Sequence, residues 1–153
     1  MQKSFSQKLT ATSNSLALLP ARLVLGLIFM AHGAQKLFGW FDGGGVEGTS
    51  KMLDSLGLGF GASSAMAVVV GAGEVLAGVL LFLGLFARIG GALVIVIMAV
   101  GIIKVHSNAF FVSSGGMEFA LILLTIGIPF LLKGAGGLSI DRMLACKPTA
   151  KSE

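Results

Sequence analysis

Residues 23–45 read "LVLGLIFMAHGAQKLFGWFDGGG". The run begins as a helix suited to lipid. It then admits a histidine, His32, and a lysine, Lys36, and closes on Trp40, Phe41 and the glycines at 43–45. An ionisable side chain inside an apolar span costs roughly 2.5–3.5 kcal/mol on insertion scales, so it usually faces the interior of a helix bundle and finds partners there. The stretch therefore predicts a membrane helix with one polar face, followed by headgroup-level aromatics and a tight turn.

The composition agrees. Of the 153 residues 55% are hydrophobic and only 12% charged, with a mean hydropathy of +0.94. Soluble domains carry about 25% charged residues, so half that share points to an integral membrane protein. The 23 glycines fit this reading, because small residues let membrane helices approach where no hydrophobic effect drives them together. The expected fold class is all-α, an integral membrane four-helix bundle with both termini cytoplasmic. The net charge of +4 is assigned to membrane orientation and not to nucleic-acid binding, since the basic residues flank apolar runs. A single cysteine, Cys146, excludes an internal disulfide or a C-x-x-C pair. Any redox chemistry must pass through a bound cofactor or a partner.

Four apolar runs are expected as spans, at 16–38, 63–86, 88–106 and 117–133. Each is near the roughly 20 residues that cross a hydrocarbon core. They make up a domain over 16–142, between a polar segment at 1–15 and a polar tail at 143–153. The first run is read as a span and not a cleaved leader, because Arg22 interrupts it early and it is too long. Pro129 predicts a kink or the start of unwinding near the exit of the fourth span. Lys3, Lys8, Arg22, Arg88, Lys133, Arg142, Lys147 and Lys151 fall on one side, which the positive-inside rule makes cytoplasmic. The loop at 39–62 then lies outside. Within it "EGTSKMLDSLG" reads as a short surface helix capped by Thr49 or Ser50 and stopped by Gly57.

At 100° per residue, Arg22, Gly26, Phe29, His32, Gly33 and Lys36 share one face of the first helix. Leu25, Leu27 and Ile28 are expected to face lipid. On the second helix Glu74 lies near the midplane among Gly71, Gly73 and Gly78, which allow a close helix contact. Lys104 and His106 end the third helix and Glu118 starts the fourth, all on the outer side. His32, Lys36, Lys104, His106 and Glu118 are thus expected to converge in the outer half, above Glu74. Taken singly, each of these groups is as readily explained by structural pairing. Arg22 and Glu74 in particular are assigned to charge pairing, with Glu74 neutralising Arg22 or a lysine. No metal site is expected, because no ligand pair has Glu-x-x-His spacing. No phosphate-binding glycine loop or nucleophile elbow is present.

These segments resemble the DoxX family of small bacterial membrane proteins. The resemblance rests on "RLVLGLIFMAHGAQKLFG", "GEVLAGVLLFLGLFAR", "KVH", "EFALILL" and the tail "GAGGLSID", and covers roughly residues 18–142. It implies a four-helix protein of the bacterial inner membrane. The family takes its name from a subunit associated with thiosulfate:quinone oxidoreductase, and other members are linked to quinone or oxidative stress or accompany soluble redox enzymes. The family-like polar positions are His32, Lys36, Glu74, Lys104, His106 and Glu118.

The expected function is a membrane redox component acting at a quinone-like or small anionic ligand. Lys36 and Lys104 would hold the anionic group, His32 or His106 would carry protons as the catalytic pair, and Glu74 and Glu118 would orient them. The cofactor, if any, would be a quinone. The partners expected are the lipid bilayer, a redox enzyme and further copies of the chain. The alternatives are a non-catalytic membrane anchor for such an enzyme, docking through the 39–62 loop, and a small-solute or proton pathway.

Overall fold

The computed structural model describes residues 9–12 and 15–145. Cys146, Lys3, Lys8, Lys147 and Lys151 lie outside the described residues. Six α-helices and no strand are found among them: α1 (Leu19–Phe38), α2 (Gly45–Ser55), α3 (Ser63–Leu83), α4 (Ala87–Lys104), α5 (Glu118–Lys133) and α6 (Ile140–Ala145). Two helices, α3 and α4, are individually long and apolar enough to cross a membrane. The four long helices alternate in direction. The bundle has one end where α1 and α4 begin and α3 and α5 finish, and an opposite end that carries α2.

α1 carries Pro20 in its first turn, which the fixed φ of proline suits. It stops at Gly39, which takes φ +72 and returns its N–H to the Gln35 carbonyl at 3.2 Å. α2 begins earlier than its hydroxyl residues suggest. It starts at Gly45, and Thr49 and Ser50 lie buried inside it, not at its cap. Ser50 Oγ donates to the Glu47 carbonyl at 2.8 Å. Gly57 ends the segment as expected, at φ +67. α5 runs through Pro129 to Lys133 and does not unwind at the proline. Arg88 Nη1 donates to the carbonyls of Leu131 and Leu132, each at 2.8 Å, satisfying acceptors that a helix terminus leaves open.

Two helix pairs build the bundle, α1 with α3 and α4 with α5, each closed by glycine. A Cβ on Gly78 would sit 2.7 Å from the Gly26 carbonyl oxygen, and one on Gly33 2.7 Å from that of Gly71. A Cβ on Gly91 would lie 2.9 Å from the Gly127 carbonyl oxygen. Gly73 makes no such approach. The buried cluster of Leu25, Phe29, Leu81, Val94, Leu123 and Phe130 forms the core between the four long helices. Leu25 is only 1% exposed, so it packs inward and does not face lipid. At 100° per residue it falls beside Lys36, on the same face as Arg22.

The tail seals the end where α1 begins. Arg22 Nη1 donates to the Ala135 carbonyl at 2.9 Å, and Nη2 to that of Leu138. The Asp141 carboxylate, fully buried, accepts the N–H groups of Phe86 (2.8 Å) and Ala87 (3.0 Å). Phe86 has φ +46. Asp141 therefore caps α4 from a distant segment, where no local side chain does so.

Candidate functional site

Toward the α2 end α1 stays packed on α3 while α3 and α4 draw apart, and the four long helices line a cavity of about 680 Å³. α1 supplies Phe29, His32 and Lys36; α3 supplies Met66, Val69, Val70 and Glu74; α4 supplies Leu93, Val96, Ile97 and Val100. Met52 and Leu53 of α2 and Leu56 just after it roof it, and Phe119, Ala120 and Leu123 of α5 form the far wall. Almost every lining group is apolar. The ionisable exceptions are His32, Lys36, Glu74 and His106.

Lys36 and Glu74 form a two-point ion pair. Lys36 Nζ donates to Oε1 at 2.8 Å and to Oε2 at 2.7 Å. The Glu74 side chain is 4% exposed and that of Lys36 23%. The pair is placed by the glycine contact beneath it, where a Cβ on Gly71 would press on Leu37 and on Lys36 Cβ. An ammonium has three donors, and two are used. At least one further N–H is left over by this contact.

His106 follows α4. Its Nδ1 lies 2.8 Å from the Gly115 carbonyl oxygen, which can only accept. Nδ1 therefore carries a proton, and in the neutral ring Nε2 is the acceptor. His32 lies one turn before Lys36 on α1 and is exposed at the cavity edge.

The other sequence candidates are placed elsewhere. Lys104 is exposed and does not line the cavity. Glu118 turns back to accept the Val112 N–H at 2.9 Å, ordering the 3₁₀ turn over Val112–Ser114. Arg22 and Glu74 do not meet, since Glu74 is taken by Lys36 and Arg22 by tail carbonyls. Among the described residues no three His, Cys, Asp or Glu side chains gather as metal ligands. Sequence reasoning gave Asp141 no role, although the tail "GAGGLSID" that ends on it was among the motifs that carry the resemblance; the signal was an acidic residue just after a glycine-rich turn.

A smaller cavity of about 320 Å³ lies at the α1–α2 turn, lined by Gln35, Gly43, Gly44, Gly48 and Thr49. It shares Lys36 and Met52 with the larger one.

Known proteins resemble this chain. A Bacillus subtilis (strain 168) protein named "Putative oxidoreductase CatD" is 38% identical over 120 residues, covering 78% of this chain and 81% of that protein. A Haemophilus influenzae "Uncharacterized protein" is 34% identical over 124 residues, covering 78% and 84%. No solved structure matches at significance. The DoxX family profile matches residues 17–107, which include α1 to α4 with His32, Lys36, Glu74 and His106. On this match and these relatives, the chain belongs to the DoxX family, which is membrane-associated.

Proposed function

We propose that the chain is a four-span inner-membrane protein whose large cavity binds a quinone-like redox ligand. The observation that carries this reading is the Lys36–Glu74 pair set in the wall of an apolar cavity of about 680 Å³, with His32 and His106 also on its lining. Such a volume is that of an ordinary small-molecule site, and a few polar groups in an apolar lining fix orientation. A small anion is favoured less, because Glu74 already neutralises Lys36. An uncharged ring with carbonyl oxygens asks only for the remaining Lys36 donor. Histidines suit proton transfer near neutral pH. A quinone, when bound, supplies two-electron, two-proton chemistry. The Lys36 ammonium would hold one ring oxygen, and His106 Nε2 would accept or return a proton at another.

The membrane placement rests on exposure. In the most apolar windows of α3 and α4 only 39% and 22% is buried inside the bundle. Core helices of soluble proteins are mostly buried, so these faces are suited to lipid. With Arg22, Arg88, Lys133 and Arg142 at the sealed end, the positive-inside rule assigns that end to the cytoplasm. The α2 end, which bears the exposed Phe38, Trp40 and Phe41, would then face outward.

The chain carries one cysteine and no dinucleotide motif, so electrons would pass to or from a partner redox enzyme. The α2 end is the docking surface proposed for it. Homo-oligomers through the remaining lipid-facing helix surfaces are compatible with this placement.

The test is native mass spectrometry of the purified protein, with extraction of whatever it retains. A quinone retained by wild type and lost in Glu74→Gln supports the reading. A wild-type protein that retains no quinone and binds none when one is added defeats it.

A further inference from the structure

α3 and α4 do not stay together along their length. Beside their connecting turn, a Cβ on Gly90 would lie 3.0 Å from Leu81 Cγ and 3.3 Å from Leu80 Cβ. Further along, a Cβ on Gly73 would meet only Ile97 Cδ1, at 4.0 Å, and one on Gly101 nothing within 4 Å. The two helices diverge toward the α2 end, and the cavity reaches into the gap. Its wall there is also the outer surface of the bundle. Val69, Val96 and Val100 line the cavity and are nevertheless 62%, 60% and 44% exposed. Of the polar lining groups, His32 and Lys36 stand on α1 and Glu74 is turned to meet Lys36, while His106 lies one turn beyond Gly101, its N–H donating to the Gly101 carbonyl at 3.0 Å.

Resting on the quinone-like reading above, we propose that the gap between α3 and α4 is a lipid-side mouth that admits the ligand and holds its apolar chain. Gly101 keeps this mouth open, and the polar head stays at Lys36–Glu74. The occupant follows from continuity: one cavity carries the Lys36–Glu74 pair in its α1–α3 wall and is breached by bare aliphatic residues between α3 and α4. In a bilayer that breach opens onto acyl chains, not water. An apolar chain crosses it with no desolvation, whereas a hydrated ion would have to shed its water against valine. The ligand class is therefore an amphiphile with an uncharged head and a hydrocarbon chain, delivered from within the membrane.

Gly101→Leu tests this without endangering the fold, because its side chain enters open space and removes a glycine from a helix interior. Binding of one quinone ring, with and without a decyl chain, is measured in lipid nanodiscs for wild type and the variant. Partitioning into the bilayer is common to both proteins and cancels in the ratio of the two dissociation constants. The variant is expected to weaken the decyl form relative to the chainless form by about tenfold, or ~1.4 kcal/mol. An unchanged ratio overturns the mouth.

A second readout needs no quinone. A bimane on Gly101→Cys, in a Cys146→Ser background, is expected to be strongly quenched by lipids brominated along their acyl chains. Absence of quenching overturns the mouth. Quenching in a protein that binds no quinone ring defeats the quinone reading and leaves the mouth standing. Ring binding that depends on Glu74, with neither quenching nor a change in ratio, does the reverse.

Discussion

Lys36 Nζ lies 2.8 and 2.7 Å from the two carboxylate oxygens of Glu74, joining α1 to α3 where Glu74 is 3% exposed. Removing one partner of a buried pair strands the other charge and costs about 3–5 kcal/mol, whereas replacing both with apolar groups is often close to neutral. Lys36→Met is therefore expected to lower the unfolding midpoint sharply, and Lys36→Met/Glu74→Leu to recover most of the loss. Thermal unfolding in detergent checks this. A double variant no more stable than the singles would show that the two charges are not coupled. The double variant is also expected to retain no quinone, which separates folding from binding.

The glycine contacts between helices predict a graded response. Gly78→Ala places a methyl 2.7 Å from the Gly26 carbonyl oxygen and as close to the Met30 backbone nitrogen. Neither backbone atom can yield without moving α1. Overpacking of this kind costs about 1–3 kcal/mol. Gly48→Ala, on α2 with nothing within 4 Å, is expected to be neutral or slightly stabilising. Equal midpoints for the two variants would contradict the close packing of α1 on α3.

Asp141 predicts both a stability loss and a pH dependence. Asp141→Ala leaves the N–H groups of Phe86 and Ala87 without their acceptor, at roughly 1–3 kcal/mol for each group left buried and unpaired. Burial pushes the Asp141 carboxyl above its ordinary value, while the Ala87 and Phe86 N–H groups and the guanidiniums of Arg22 and Arg88 pull it back. With a raised folded-state value, the native protein holds the proton more tightly than the unfolded chain. Its contribution to stability therefore falls as pH rises from the ordinary carboxyl range through the raised value, and is flat above it. Asp141→Asn is expected to remove that slope. Unfolding midpoints measured from acid to neutral pH check it, and an identical profile in the variant would reject the assignment.

The cavity separates residues that the sequence groups together. Lys104 is exposed and absent from the lining, whereas His106, two residues on, is on it. Lys104→Ala is expected to leave quinone retention and affinity unchanged, and His106→Ala to weaken both by about tenfold, the loss of one good polar contact. A larger effect at Lys104 than at His106 would move the site out of this cavity.

The positions of the long helices were legible in the sequence. Apolar runs of span length, Pro20 at a first turn, and Gly39 and Gly84 after last turns mark helix boundaries by local chemistry alone. The polar face of α1 was legible too, since a 100° turn per residue needs no neighbour to define it. So was the close approach at Gly26, Gly71 and Gly78. Thr49 and Ser50 misled because hydroxyl residues mark caps only when the preceding segment is not already helical, and Gly44 and Gly45 had started α2 upstream.

What the sequence alone determined, then, is where the long helices run and which face of α1 is polar. Only the tertiary structure decided which polar faces meet. Arg22 and Lys36 share one face of α1 and are equivalent partners for Glu74 on a helical wheel. The glycine contacts set how α3 is rotated and shifted along α1, and that register delivers Glu74 to Lys36, nearly four turns from Arg22. The tail then takes Arg22, and Asp141 reaches the start of α4 across a separation of more than fifty residues. The divergence of α3 from α4, and with it the cavity, is likewise a property of rigid helices packed at one end and not at the other. A helix wheel describes direction around an axis; it contains nothing about the distance between axes.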